Sequence, residues 1–294
     1  MSQNIFQQAC LVQLSTSCWQ GCKALDPSIM GSRFKGSVGE WLSGTKHLVN
    51  PESLGPTKAV VARARTFLEK LALPFPVKGL TLVPKEMLTR IDEGLAQIKD
   101  EFFAEVSEFV AGFDDERMVA ETSLGNLFCE TDYPIDIRSK FKFEWRFLTL
   151  DVPGKSKILP AEVYEREKKK FQDMMEETRE LAMTALREEF AGIVSHMTER
   201  LSGEEDGKPK RFRSSMLEKM NEFLDSFDDR NLFNDERLAE LVGRARTIVS
   251  DLSAETLREN QKLRNRISSK MGKLVQAIDK TMEDLPRRKI RLAA

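Results

Sequence analysis

From Ala161 to about Leu201, the residues Phe171, Met174, Thr178, Leu181, Ala185, Phe190, Ile193 and Met197 line one side of a sequence otherwise crowded with charge. That spacing predicts a single helix opened by Pro160, and about 40 helical residues reach roughly 60 Å. A rod of that length with one apolar side needs a partner along it. That favours packing on the helix predicted from Leu88 to Phe113 or on another subunit.

The chain holds further helical patterns. Val60, Val61, Ala64, Phe67, Leu68 and Leu71 predict a short helix after Pro56, stopped by Pro74 and Pro76. Pro84 opens a longer pattern, in which Leu88, Ile91, Leu95, Ile98, Phe102, Val106, Phe109 and Phe113 predict one amphipathic helix of about eight turns. Past the polar linker Ser202 to Pro209, Met216, Leu217, Met220, Phe223, Leu224 and Phe227 mark a helix from Arg213, with Ser214 or Ser215 as its cap. Leu238, Leu241, Val242, Ala245, Ile248, Val249 and Leu252 follow on another, capped by Asn234 or Asp235. A last helix, Ala254 to about Leu285, carries Leu263, Ile267, Met271, Leu274, Ile278, Met282 and Leu285 and ends at Pro286.

Two segments break the helical period. In Ser139 to Leu150, Phe141, Phe143, Trp145 and Phe147 alternate with Lys140, Lys142, Glu144 and Arg146, a period of two that only a strand produces. Ala9 to Trp19 is rich in β-compatible residues and reads as its antiparallel neighbour. Between Gly21 and Gly55, glycines and prolines argue for loops and short turns. The expected fold is therefore mostly α, of the α+β kind, with long antiparallel helices and a small antiparallel β-sheet formed by the N-terminal strand and the strand near 139–150. An N-terminal α+β unit over residues 1–153 and a C-terminal array of long helices with a basic tail over 160–294 are expected.

Charge is unevenly distributed. The formal net charge is −1, yet from Thr256 onward eleven Lys or Arg face four Asp or Glu, a local balance of +7 that leaves −8 on the rest. Such a basic end on an acidic body favours an anionic partner or head-to-tail self-association. No run approaches the roughly 20 apolar residues needed to cross a bilayer. Met1 to Leu14 lacks the charged start and apolar run of a signal peptide, and four unevenly placed cysteines make no disulfide framework. A cytoplasmic, reducing environment is expected, with no membrane contact.

Motifs for chemistry fail on spacing. Gly39, Gly44, Thr45 and Lys46 have the glycine spacing of a phosphate-binding loop, but Thr and Lys come in the wrong order and no apolar strand precedes them. His47 and His196 are far apart, and Cys18 and Cys22 have no second pair, so no metal site is expected. Asp114, Asp115, Glu116, Asp132 and Asp136 read as helix-end and loop carboxylates rather than an acid/base pair. No catalytic, cofactor or metal residues are assigned, and the chain is not expected to be an enzyme.

The basic groups form three sets. Lys208, Lys210, Arg211 and Arg213 surround Phe212; Arg258, Lys262, Arg264 and Arg266 lie on the last helix; Arg287, Arg288, Lys289 and Arg291 form the tail. Of these, Lys210, Arg211, Arg213, Arg258, Arg264, Arg287, Arg288 and Arg291 are the expected partner-binding residues.

Several segments resemble the bacterial and phage domain-of-unknown-function (DUF) family 3150. They are LVQLSTSCWQG from Leu11, the Leu48 to Pro56 stretch with its following helix, KFKFEWRF from Lys140, KPKRFRSSML from Lys208 and LRENQKLRNRI from Leu257. None of these motifs is catalytic. The resemblance implies a gene setting on phages and mobile elements near AAA+ ATPases of the MoxR or cobalt-chelatase type. It thereby implies a non-catalytic helical scaffold or adaptor for such an ATPase, and the long rods themselves favour self-association into homo-oligomers. A nucleic-acid-binding accessory protein in recombination or replication is the alternative.

Overall fold

The computed structural model describes residues 5–26, 43–150, 160–202, 204–205, 208–209, 212–250 and 252–283. Its helices are α1 (Gly55–Leu71), α2 (Leu88–Ala111), α3 (Phe113–Leu124), α4 (Ala161–Ser202), α5 (Ser214–Arg230), α6 (Glu236–Val249), α7 (Ala254–Glu259) and α8 (Gln261–Glu283). The strands are β1 (Ala9–Ser17), β2 (Cys22–Ala24), β3 (Thr45–His47), β4 (Leu73–Pro74), β5 (Thr81–Pro84), β6 (Lys142–Leu148), β7 (Glu204–Glu205) and β8 (Lys208–Pro209). The fold is mostly α with a small antiparallel sheet that contains β1 and β6, ordered β4-β5-β1-β6.

The chain divides into two compact units: Met1–Leu11, Leu71–Met87 and Leu148–Ala294 make the first, and Val12–Lys70 with Leu88–Phe147 the second. This differs from the expected cut at residue 153. Ala9 and Leu11 of β1, with Leu73, Phe75 and Leu82 around the β4–β5 hairpin, are buried in the same core as α4, which draws these early segments into the unit of late helices. In that hairpin Leu73 faces Leu82. Its loop passes through Gly79 at φ 84°, a conformation open to glycine without strain.

In the second unit, α2 lays Ile91, Leu95, Phe102, Val106 and Phe109 inward. The inward face of β6 and the residue just before it meet them: Phe102 lies 5.5 Å from Phe143, and Phe109 lies 5.7 Å from Phe141 between ring centroids. The period-two pattern fades along β6, from buried Phe143 through half-buried Trp145 to Phe147, which is 39% exposed. Trp145 still has a fixed place, because its indole N–H donates to Asp92 at 2.7 Å and Lys99 lies over its ring. Gly94 lets α2 approach α1, since a Cβ there would sit 2.2 Å from the Phe67 ring.

The helix predicted from Leu88 to Phe113 is present as α2 and ends two residues early, whereas the predicted last helix is broken in two. The long pattern from Leu88 stops at Gly112, and α3 restarts with Asp114, Asp115 and Glu116 in its first turn, where carboxylates favour the helix N-terminus. The last helix divides at Asn260, whose side chain accepts from the backbone N–H of Leu263 at 2.9 Å and so caps α8. At the start of α5 the cap position is Arg213, without a side-chain cap bond, rather than Ser214 or Ser215.

The first unit is a helical array around α4. Ala182, Leu186, Phe190, Val194, Met197 and Leu201 line its buried side, and Phe190 stacks on Phe223 of α5 at 5.2 Å. The long helix that runs beside α4 is α8, which also packs on α6. The rod thus finds a partner within its own unit; α2, the expected candidate, belongs to the other.

A candidate anion-binding face on the last helix

In α8 the residues Ile267, Met271, Leu274 and Ile278 recur four, three and four apart, and none is more than 4% exposed. They fix which side of the helix meets the core. At about 100° per residue, Lys262, Arg266, Lys270, Lys273 and Lys280 all fall within an arc of about 80° along one flank of the helix, centred about 110° from the middle of the buried side. All five are exposed. None has an ion-pair partner among the described residues. The one other residue inside the arc is Ala277, too small to cover its neighbours. Asp279, the acidic residue of α8 whose side chain is described, points away from the arc. The result is a strip of five cations roughly 27 Å long.

Two buried arginines hold this helix against α4. Near the start of α8, Arg264 donates from Nε to the carbonyl of Leu201 at 3.0 Å and from a terminal nitrogen to that of Arg200 at 2.6 Å. It thereby caps the last turn of α4, whose final carbonyls lack helical partners. Near the end of α8, Arg187 of α4 donates to the carbonyl of Thr281 at 2.9 Å. The same guanidinium grips Asp235 in a two-pronged pair at 2.6 and 2.9 Å. Asp235 also accepts from the backbone N–H of Leu238, which fulfils its expected role as the cap of α6.

The expected contact residues divide accordingly. Arg264 is corrected: it is 4% exposed and tied to α4 carbonyls, so it positions the face instead of belonging to it. Arg258 is exposed, with Nε donating to the carbonyl of Phe212 at 2.8 Å, and Arg213 is exposed at the start of α5. Lys210, Arg211, Arg287, Arg288 and Arg291 lie outside the described residues. Lys262 and Arg266 stand on the arc, while Lys270, Lys273 and Lys280 were not among the basic groups singled out from the sequence. Their signal was present as steps of four, four, three and seven residues from Lys262, out of phase with the apolar series.

The acidic candidates of the second unit are structural. Asp132 lies between Lys23 and Lys46, each at 2.5 Å, and these ammonium groups hold its carboxyl below the usual carboxylate range. Glu116 accepts from the Asn50 backbone and the Ser53 hydroxyl, and Asp136 accepts from the backbone N–H of Arg138. A cleft of about 570 Å³ beside Glu116 is also lined by Glu105, Glu108 and Asp115. Among the described residues no group of three or more His, Cys, Asp or Glu side chains is placed to hold a metal ion. No described helix is long and apolar enough to cross a membrane.

The family model described as Protein of unknown function (DUF3150) matches residues 6–203. The chain belongs to that family. No curated protein and no solved structure matches it. The match takes in the segments LVQLSTSCWQG, Leu48 to Pro56 and KFKFEWRF, and it stops just after α4. The KPKRFRSSML and LRENQKLRNRI segments lie beyond it, and so does the whole cationic arc.

Proposed function

We propose that the chain is a non-catalytic adaptor that carries a polyanionic partner on α8 and works beside an AAA+ ATPase of the MoxR or cobalt-chelatase type. One observation carries this reading. The family region ends just after α4, whereas five cations without an ion-pair partner among the described residues lie past it on a helix clamped to α4. A shared partner then belongs with the family region and a second, anionic one with the C-terminal array. Met118 and Val119 of α3, with Ile135, are large apolar side chains left exposed inside the family region, the kind of surface a protein partner covers.

Size-exclusion chromatography with light scattering, on the chain alone and mixed with such an ATPase at low and moderate salt, tests the adaptor reading. A defined co-complex that survives moderate salt is expected, because apolar contacts are not screened. A chain that elutes at its own mass in the presence of the ATPase at every salt concentration overturns it.

A further inference from the structure

The nature of the polyanion follows from the make-up of the arc. Resting on the reading of α8 as a docking face, we infer that its ligand is the phosphate backbone of double-stranded nucleic acid, bound without regard to sequence. Five cations spread over roughly 27 Å exceed what a single phosphoryl group occupies and suit a polymer with charges at short, regular intervals. Four of the five are lysines, point charges on flexible stems without the planar fork that reads guanine edges. Contacts of this kind position a protein on a duplex and carry no sequence information.

Two other anionic ligands fit less well. Unpaired strands are held on aromatic platforms, and α8 contains no Phe, Tyr or Trp. A membrane surface takes up a helix by its apolar side, but Ile267, Met271, Leu274 and Ile278 are buried in the protein core and unavailable to lipid. What remains outward is charge along one flank of the helix.

The test is fluorescence anisotropy of the full chain with a labelled duplex of arbitrary sequence and with the corresponding single strand, across a salt series. Five phosphate contacts give a log–log salt slope of about −4.5 on duplex, so affinity falls about 500-fold for a fourfold rise in salt. The combined variant Lys262→Gln, Arg266→Gln, Lys270→Gln and Lys273→Gln should flatten that slope by about 3.6. These residues are exposed, so its circular dichroism should match the parent. The corresponding lysine-to-arginine variant should keep the binding. A scrambled duplex should bind equally well.

Duplex affinity unchanged in the glutamine variant overturns the inference, as does preference for the single strand or for phosphatidylserine vesicles. If duplex is not bound but the four substitutions loosen the complex with the ATPase, the arc is a protein-docking face. The nucleic-acid inference then falls while the docking role of α8 stands. If the substitutions disturb neither, the docking role of the arc falls as well.

Discussion

Replacement of Arg187 by methionine is expected to destabilise the helical array by about 3–5 kcal/mol, seen as a lower denaturation midpoint of the far-ultraviolet circular dichroism. The side chains of Arg187 and Asp235 are only 6% and 2% exposed. Methionine fills similar space but leaves the Asp235 carboxylate buried with no counter-charge, and water cannot reach it to compensate. The Thr281 carbonyl loses its donor as well, which loosens the end of α8 nearest Lys280. Asp235→Asn should cost a similar amount for the reciprocal reason, although asparagine can still cap α6. The double variant should be less damaged than the sum of the two, since it removes both buried charges together. Strict additivity would mean that the two groups do not act as a pair.

The second large effect is expected at Phe102, in the other unit. Its ring is fully buried, with centroids 5.2 Å from Phe103, 5.5 Å from Phe143 and 6.4 Å from Phe141. Phe102→Ala removes the side chain through which α2 grips β6 and leaves a cavity between rigid rings, at a cost of about 3–5 kcal/mol. Trp19 and Trp145 lie in this unit, Trp19 with its ring 6.2 Å from Phe109 and Trp145 with its ring 6.3 Å from Phe143, so tryptophan fluorescence reports its unfolding. The fluorescence midpoint should drop for Phe102→Ala. An unchanged midpoint would contradict the packing of α2 on β6.

Periodicity made the fold legible where one side of an element is buried along its whole length. The alternation of Phe141 and Phe143 is read directly, but α4 is read only in part. Thr178, Phe190 and Met197 of its expected series are buried, whereas Leu181, Ala185 and Ile193 are half-buried and Ala182, Leu186, Val194 and Leu201 take the core positions. Periodicity failed where a backbone group breaks a helix without breaking its apolar series. The spacing from Leu88 to Phe113 carries past Gly112, and the apolar series of the last helix begins only at Leu263, beyond Asn260, so neither break appears in the pattern of apolar residues. β4 and β5 are too short for a period of two to declare itself, and Leu73 and Leu82 owe their burial to helices far along the chain.

The candidate site was half legible for a related reason. Charge imbalance pointed to the C-terminal end, but a count of charges does not say which face each occupies. Arg264 and Arg266 are equivalent as composition. Two residues of helix separate them by about 200°, which puts one into the core as a cap for α4 and the other among the exposed cations of the arc. The apolar series of α8 supplies the missing phase, and with it Lys270, Lys273 and Lys280 join Lys262 and Arg266.

The most direct measurement is a lysine-labelling footprint of the full chain, read by mass spectrometry, free and then bound to duplex or to the ATPase complex. If the α8 arc is the docking face, Lys262, Lys270, Lys273 and Lys280 lose reactivity together on binding, while exposed lysines elsewhere, such as Lys23, keep theirs. Equal labelling of the four in the free and bound states would contradict that role.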